Sequence, residues 1–265
     1  MMDEVLRKRL TMSAVFVTIT IATIFMSPEW FFFAVVQAFG LIGLNEFLAM
    51  AEKKSGRINR VACLLFGALI PFASYYSAEP VVLGLAALVL FTMNFDKNAP
   101  RDTTALLSIS VSIFGLIYIP VLFSHLIKLR HLGYGSSLIF YTVLLAKGGD
   151  AGAYFVGRSF GKEKLIEHIS PNKSVEGAIG GLGVTVLLSL LSKSYLGFIS
   201  FGHLFLLGIL VGVIAQLGDL AESLIKRETG VKDSGQIPGL GGVLDMLDSL
   251  VFTVPFVYYY VLYAL

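Results

Sequence analysis

Asp219-Leu-Ala-Glu222-Ser223-Leu-Ile-Lys226-Arg227, then Gly230-Val-Lys232-Asp233-Ser-Gly-Gln-Ile-Pro238-Gly239-Leu240-Gly241-Gly242, then Asp245-Met246-Leu-Asp248-Ser249: these residues join the mouths of two strongly apolar segments. A carboxylate inside a bilayer segment is costly and persists only with a partner or a task. Asp219 with Glu222, and Asp245 with Asp248, are spaced i,i+3, so each pair shares a helix face and its repulsion needs offsetting. On the simpler reading Lys226 and Arg227 offset it without a metal. The glycine loop favours a sharper one. Carboxylates recruit Mg²⁺, and amides bared at Gly239, Gly241 and Gly242 approach phosphate oxygens.

Composition sets the class around that stretch. Mean hydropathy is +0.80. Of the residues, 56% are hydrophobic and 14% charged, where a soluble domain carries about 25% charged. Apolar runs are read at roughly 10–27, 30–50, 61–77, 80–95, 104–125, 136–157, 177–192, 201–225 and 244–264, each near the length that crosses a bilayer. The expectation is an all-α polytopic membrane protein of about nine transmembrane helices. The lone Cys63 excludes a disulfide framework. The run after Arg7-Lys8-Arg9 is too long for a signal peptide and has no small-residue cleavage site, so it reads as a retained helix.

Lys and Arg give the orientation. With the N-terminus in the cytoplasm, inside segments hold 16 of these residues and outside loops 3, namely Lys128, Arg130 and Lys193, with Lys147 inside the sixth run. The acids then fall at one level. Asp150 lies about two turns from the inner end of its run. Asp219 lies similarly, Asp245 and Asp248 open the last run on the same side, and Glu46 closes the second there. The expectation is one polar cavity open to the cytoplasm. A transporter would carry polar groups through the full depth, which this chain does not. The chain divides into 1–135, about five spans with little reactive inventory, and 136–265, about four spans with nearly every candidate catalytic group.

Two further blocks carry chemistry. In Lys147-Gly-Gly-Asp150-Ala-Gly-Ala-Tyr154-Phe-Val-Gly157-Arg158-Ser-Phe-Gly161-Lys162, Lys147 and Asp150 face each other at i,i+3. They either neutralise one another in packing or organise the cavity. The Gly157–Lys162 tail is no P-loop, because the glycine spacing is short and Glu163 follows the lysine. In Ser170-Pro171-Asn172-Lys173-Ser174-Val-Glu176-Gly177, Ser174 or Pro171 starts a helix with Glu176 in its first turn. Lys173 beside Ser170 and Ser174 makes the same place an anion site. His125, His131, His168 and His203 have no metal-ligand spacing and read as interfacial, as do Tyr258, Tyr259, Tyr260 and Tyr263.

The stretch from Ser223 to Ser249 resembles the C-terminal signature of the phosphatidate cytidylyltransferases (CDP-diacylglycerol synthases). Ser223, Lys226, Arg227, Lys232, Asp233, Pro238, Gly239, Gly241, Gly242, Asp245, Asp248 and Ser249 all stand in register. The Ser170–Gly177 and Asp150–Lys162 blocks are similar to two others of that family, so the resemblance covers about residues 147–249. Leu240 stands where the family usually has His, Met246 where it has Arg, and Asn172 and Ser174 replace Lys and Thr. The acids are kept. The resemblance implies transfer of CMP from CTP to phosphatidate, giving CDP-diacylglycerol and pyrophosphate. It implies Mg²⁺ on Asp219, Asp245 and Asp248, and phosphate contacts from Lys173, Lys226 and Arg227. Ser170, Ser174, Lys147, Asp150, Lys232, Asp233, Gly239, Gly241, Gly242 and Ser223 complete the expected substrate-binding set. Expected partners are CTP, phosphatidate and the bilayer, without nucleic acid; a homodimer is compatible with this reading. The expected location is the bacterial inner membrane, with the site facing the cytoplasm. CDP-alcohol phosphotransferases need Asp-Gly-x-x-Ala-Arg, which this chain lacks.

The charge bias yields a topology test. With Cys63→Ala as background, single cysteines at Ser159 and Ser234 are expected to resist a membrane-impermeant maleimide on intact cells and to react once the membrane is opened. A cysteine at Ser194 is expected to label at once. Labelling at Ser234 in intact cells would invert the assigned orientation.

Overall fold

Long runs of Leu, Val, Ile, Phe and Ala, interrupted mainly by Gly, Pro and short polar turns, fold into a helix within each expected run over the described residues. The computed structural model describes residues 17–56, 58–95, 104–237 and 241–265. Arg7, Lys8, Arg9, Arg57, Lys97 and Arg101 of the charge bias, and Gly239 of the glycine loop, lie outside the described residues. The helices are α1 (Val17–Met26), α2 (Glu29–Ser55), α3 (Arg60–Ser74), α4 (Glu79–Met93), α5 (Thr104–Leu116), α6 (Leu122–Arg130), α7 (Gly135–Phe160), α8 (Val175–Leu191), α9 (Phe201–Glu228) and α10 (Val243–Ala264). A π-turn at Ile117–Val121 joins α5 to α6 in one rod. It carries Pro120, whose missing N–H breaks the ordinary helical ladder.

Nine rods among the described residues therefore match the nine apolar runs in position. Five stretches are long and apolar enough to cross a membrane: Glu29–Ser55, Ala105–Arg130, Val175–Ser194, Phe201–Glu228 and Val243–Ala264. α1, α3 and α4 are apolar but shorter. α7 has the length, but its glycines, Lys147 and Asp150 dilute its apolar character. Trp30, Leu65, Leu88, Leu106, Ile179 and Leu187 each expose more than half of their surface. Apolar exposure on that scale suits lipid rather than water. The protein is an all-α membrane protein.

One element was not expected. Lys164–Ile166 (β1) and Ser170–Ser174 (β2) form an antiparallel hairpin between α7 and α8. It is too short and polar for alternation to reveal it. Its second strand runs directly into α8, whose N-cap Ser174 accepts the Gly177 N–H at 3.1 Å.

α10 is central, packing on α9, α6, α2 and α7 through buried residues including Leu244, Leu247, Val251, Val254 and Val257. α7 and α8 make the closest helix pair. A Cβ built on Gly181 would sit 2.8 Å from both the Gly149 carbonyl oxygen and the Ala153 Cβ. The two backbones are nearly in contact, the approach that small residues allow between membrane helices. Gly181→Leu is expected to destabilise the fold by about 1–3 kcal/mol through overpacking, read as a lower unfolding temperature in detergent. Gly84→Ala on α4, where nothing lies within 4 Å, is expected to leave it unchanged or raise it.

Candidate active site

Asp150, Asp219 and Asp248 lie on α7, α9 and α10, at one end of the bundle and close enough to feel one another's charge. Lys147 sits between Asp150 and Asp248. Its Nζ donates to Ser249 Oγ at 2.8 Å, Asp248 Oδ1 at 3.3 Å and Asp150 Oδ2 at 3.4 Å. Ser249 Oγ donates onward to Asp150 Oδ2 at 3.2 Å, and the Ser249 N–H to Asp248 Oδ1 at 2.6 Å. The i,i+3 pair expected within α7 is thus present, but it is shared with α10.

Lys173 joins this knot from the hairpin. Strand β2 carries its Nζ to Asp219 Oδ2 at 2.5 Å. Two ammonium groups thus face three carboxylates. Ser174, one residue on, caps α8, and Ser170 pairs with Ile166 across the hairpin. Arg227 turns away from the acids: its Nε donates to the Ile169 carbonyl at 3.1 Å and so ties the end of α9 to the hairpin.

Asp245 belongs to a second cluster. Its Oδ1 accepts Lys226 Nζ at 2.5 Å. Its Oδ2 accepts the Ser234 N–H and Oγ–H, each at 2.8 Å, and the Gly242 N–H at 2.7 Å. Lys226 also pairs with Glu222, whose side chain is fully buried. Lys226 is therefore a strut between the buried Glu222 and the partly buried Asp245 rather than a free phosphate contact. Ser223 is buried on α9, whereas Lys232 and Asp233 are exposed on the loop. Gly241, at φ +81°, turns the chain toward α10.

Asp219 and Asp248 would offer a metal hard carboxylate oxygens, which suit Mg²⁺ rather than zinc, and both now face nitrogen donors: Lys173, Lys147 and the Ser249 N–H. Among the described residues no three acidic, His or Cys side chains form a ready cation cage. Asp219, Asp245 and Asp248 do not converge on one point: each is turned to its own cation, Lys173, Lys226 and Lys147. The histidines stand apart from the acids' hydrogen-bonding network. His125 is buried, 3.3 Å from Tyr259 Oη, and His203 meets Tyr260 Oη at 2.8 Å. A shallow concavity at the end of α7, lined by Phe160, Lys162 and Glu176, includes none of the clustered aspartates.

The model of the cytidylyltransferase family matches residues 7–264. The chain belongs to that family. It is 35% identical over 240 residues to a phosphatidate cytidylyltransferase of Bacillus subtilis, covering 86% of this chain and 87% of that one. It is 33% identical over 271 residues to one of Synechocystis, covering 89% and 90%. It is also 44% identical over 138 residues to one of Haemophilus influenzae, about half of each chain.

In this cytidylyltransferase-family chain, sequence reasoning assigned no role to Ser249 or Ser234. Ser249 was visible as the hydroxyl after Asp248, but its bond to Lys147 crosses 102 residues of sequence. Ser234 was visible only as a polar loop residue.

The strut gives a prediction. Lys226→Met leaves Glu222 buried without its cation and Asp245 without its lysine, and is expected to cost about 3–5 kcal/mol, read as a lower unfolding temperature. Adding Glu222→Gln is expected to restore part of the loss. A Lys226→Met protein as stable as the parent would remove the strut.

Proposed function

We propose that this chain is a phosphatidate cytidylyltransferase, joining CTP and phosphatidate to give CDP-diacylglycerol and pyrophosphate. Family membership over nearly the whole chain supports the reaction class. The observation that carries the reading to particular residues is the Lys147–Asp150–Asp248–Ser249 knot with Lys173–Asp219 beside it.

An oxygen of the lipid phosphate attacks the α-phosphorus of CTP. The bond from that phosphorus to the bridging oxygen breaks, and pyrophosphate leaves with the electron pair. The nucleophile is already an anion, so little base catalysis is demanded. The barrier lies in bringing two anions together and stabilising the leaving group, which positioned cations supply. Lys147 and Lys173 are the cations next to the acids, and Ser249 orients Lys147. We assign Mg²⁺ to Asp219 and Asp248. Asp245, the third expected ligand, takes that role only when Lys226 releases it. Bound there, the ion would neutralise the triphosphate and the leaving pyrophosphate. Lys226 and Arg227 shape the site by holding the loop and the hairpin.

We place the site at the cytoplasmic face of a bacterial inner membrane, in a nine-span bundle with its polar cavity open to CTP. The charge bias in the sequence supports this orientation. On the same reading residues 1–135 serve mainly as scaffold and 136–265 carry the chemistry, and an opening between helices admits the acyl chains.

Radiolabelled CTP, phosphatidate and Mg²⁺ are expected to yield a labelled CDP-lipid with the purified protein in mixed micelles. Asp219→Asn and Asp248→Asn are expected to cut turnover by about 100-fold or more in protein that still folds. Exhaustive EDTA treatment should abolish the activity, and Mg²⁺ should restore it. Full activity after EDTA, or in both variants, would defeat the metal assignment.

A further inference from the structure

α10 begins beside the acids and has four backbone N–H groups to satisfy before its own ladder closes. All four are taken by side chains. Gly242 N–H donates to Asp245 Oδ2 at 2.7 Å, and Asp245 N–H to Ser234 Oγ at 3.3 Å. The two between them are held from far away in sequence. Val243 N–H donates to Glu46 Oε1 at 3.0 Å, and Leu244 N–H to Glu46 Oε2 at 2.8 Å. Ser234 Oγ lies 3.1 Å from Glu46 Oε2 as well. Glu46 thus reaches from α2 to cap a helix that starts 197 residues later, and it pins the loop leading into that helix.

The loop is shaped for this contact. A Cβ on Gly235 would collide with Glu46 Oε1 and lie 2.8 Å from the Gly242 Cα. A Cβ on Gly242 would lie 2.6 Å from Glu46 Oε2 and 2.5 Å from the Gly235 nitrogen. Two glycines let the loop close on the carboxylate. A negative charge at a helix N-terminus is favourable in itself. Glu46 and Asp245 together grip the start of α10, one turn before Asp248 and Ser249.

We infer that Glu46 is a positioning residue for the nucleotide side of the site. Acting through Ser234 and the first turn of α10, it fixes the loop around Ser234 and Gly235 and the register of Asp248 and Ser249 against Lys147. The inference rests on the proposed cytidylyl transfer for its kinetic part. Lys232 and Asp233 on this loop are exposed, and in the proposed orientation they face the side from which a nucleotide arrives. The lipid tails approach from the bilayer. Glu46 is thereby a polar contact through which the N-terminal helices, which otherwise carry little chemistry, act on the reaction.

The test uses the full chain in mixed micelles, with Glu46→Gln, Glu46→Ala and Ser234→Ala. Misplacing a substrate-binding loop acts on one substrate, so the KM for CTP is expected to rise about tenfold in Glu46→Ala while that for phosphatidate stays within about twofold. Glu46→Gln keeps one acceptor oxygen and is expected to fall between parent and alanine. Ser234→Ala is expected to shift the same constant in the same direction by a smaller factor. A second readout needs no activity: limited trypsin cleavage after Lys232, mapped by mass spectrometry, is expected to quicken in the Glu46 variants before any other site opens. Parental KM for CTP together with parental cleavage at Lys232 overturns the inference. So does a fall in kcat alone with cleavage quickened at every site, because that pattern is general destabilisation. If the parent protein makes no CDP-lipid, the proposed function falls. The Lys232 cleavage rate then decides alone whether Glu46 holds the loop.

Discussion

Charge inside an apolar bundle must be answered by opposite charge, and that requirement shapes this protein more than any other. The clustered aspartates and Glu222 each have a named cation: Lys147 for Asp150 and Asp248, Lys173 for Asp219, Lys226 for Glu222 and Asp245, while Glu46 is met by the positive N-terminus of α10. Removing both partners of such a pair in favour of apolar groups is often neutral, whereas removing one is severe. The pairs therefore gain little stability for the fold and are best understood through what they hold ready. On the proposed function, this array of lysines held on aspartates is what incoming phosphates and a cation would exchange with.

The two clusters divide the work. The knot around Lys147 and Lys173 gathers α7, α9, α10 and the hairpin at one point. The strut around Lys226 ties α9 to the start of α10 and, through Ser234, to the glycine loop. They meet on the first turns of α10, the helix that packs on α2, α6, α7 and α9. A small rotation of α10 would change both clusters together, so its N-terminus is the natural place for the rest of the bundle to hold firmly.

The apolar runs were legible because bilayer thickness imposes a length on them, and the positions of the helices followed. The three polar blocks were legible because their residue types and spacing are unusual in so apolar a chain. What could not be read was direction. Asp245 and Asp248 were treated as one team on a shared face. Residues three apart on a helix nonetheless point about 60° from each other, and at the start of α10 that angle sends Asp245 to the loop and Asp248 to Lys147. Asp219 and Glu222 diverge in the same way, toward Lys173 and Lys226. The hairpin was missed because three- and five-residue strands leave no periodic trace, and with it the means by which Lys173 reaches Asp219. Glu46 was placed at the correct level, but nothing in its neighbourhood of sequence announces a helix cap nearly two hundred residues away.

The glycine seam between α7 and α8 bears on traffic in the plane of the membrane. Where a single methyl on Gly181 would meet the backbone of Gly149, a hydrocarbon tail has no passage. That wall of the polar end is sealed against fatty chains by contact between main chains rather than by bulky side chains. If the proposed site is correct, a two-tailed lipid bringing its headgroup to Lys147 and Lys173 would slip in along another face of the bundle. Its glycerol backbone is then presented from a restricted set of directions, so the seam would act as a guide rail as well as a packing joint.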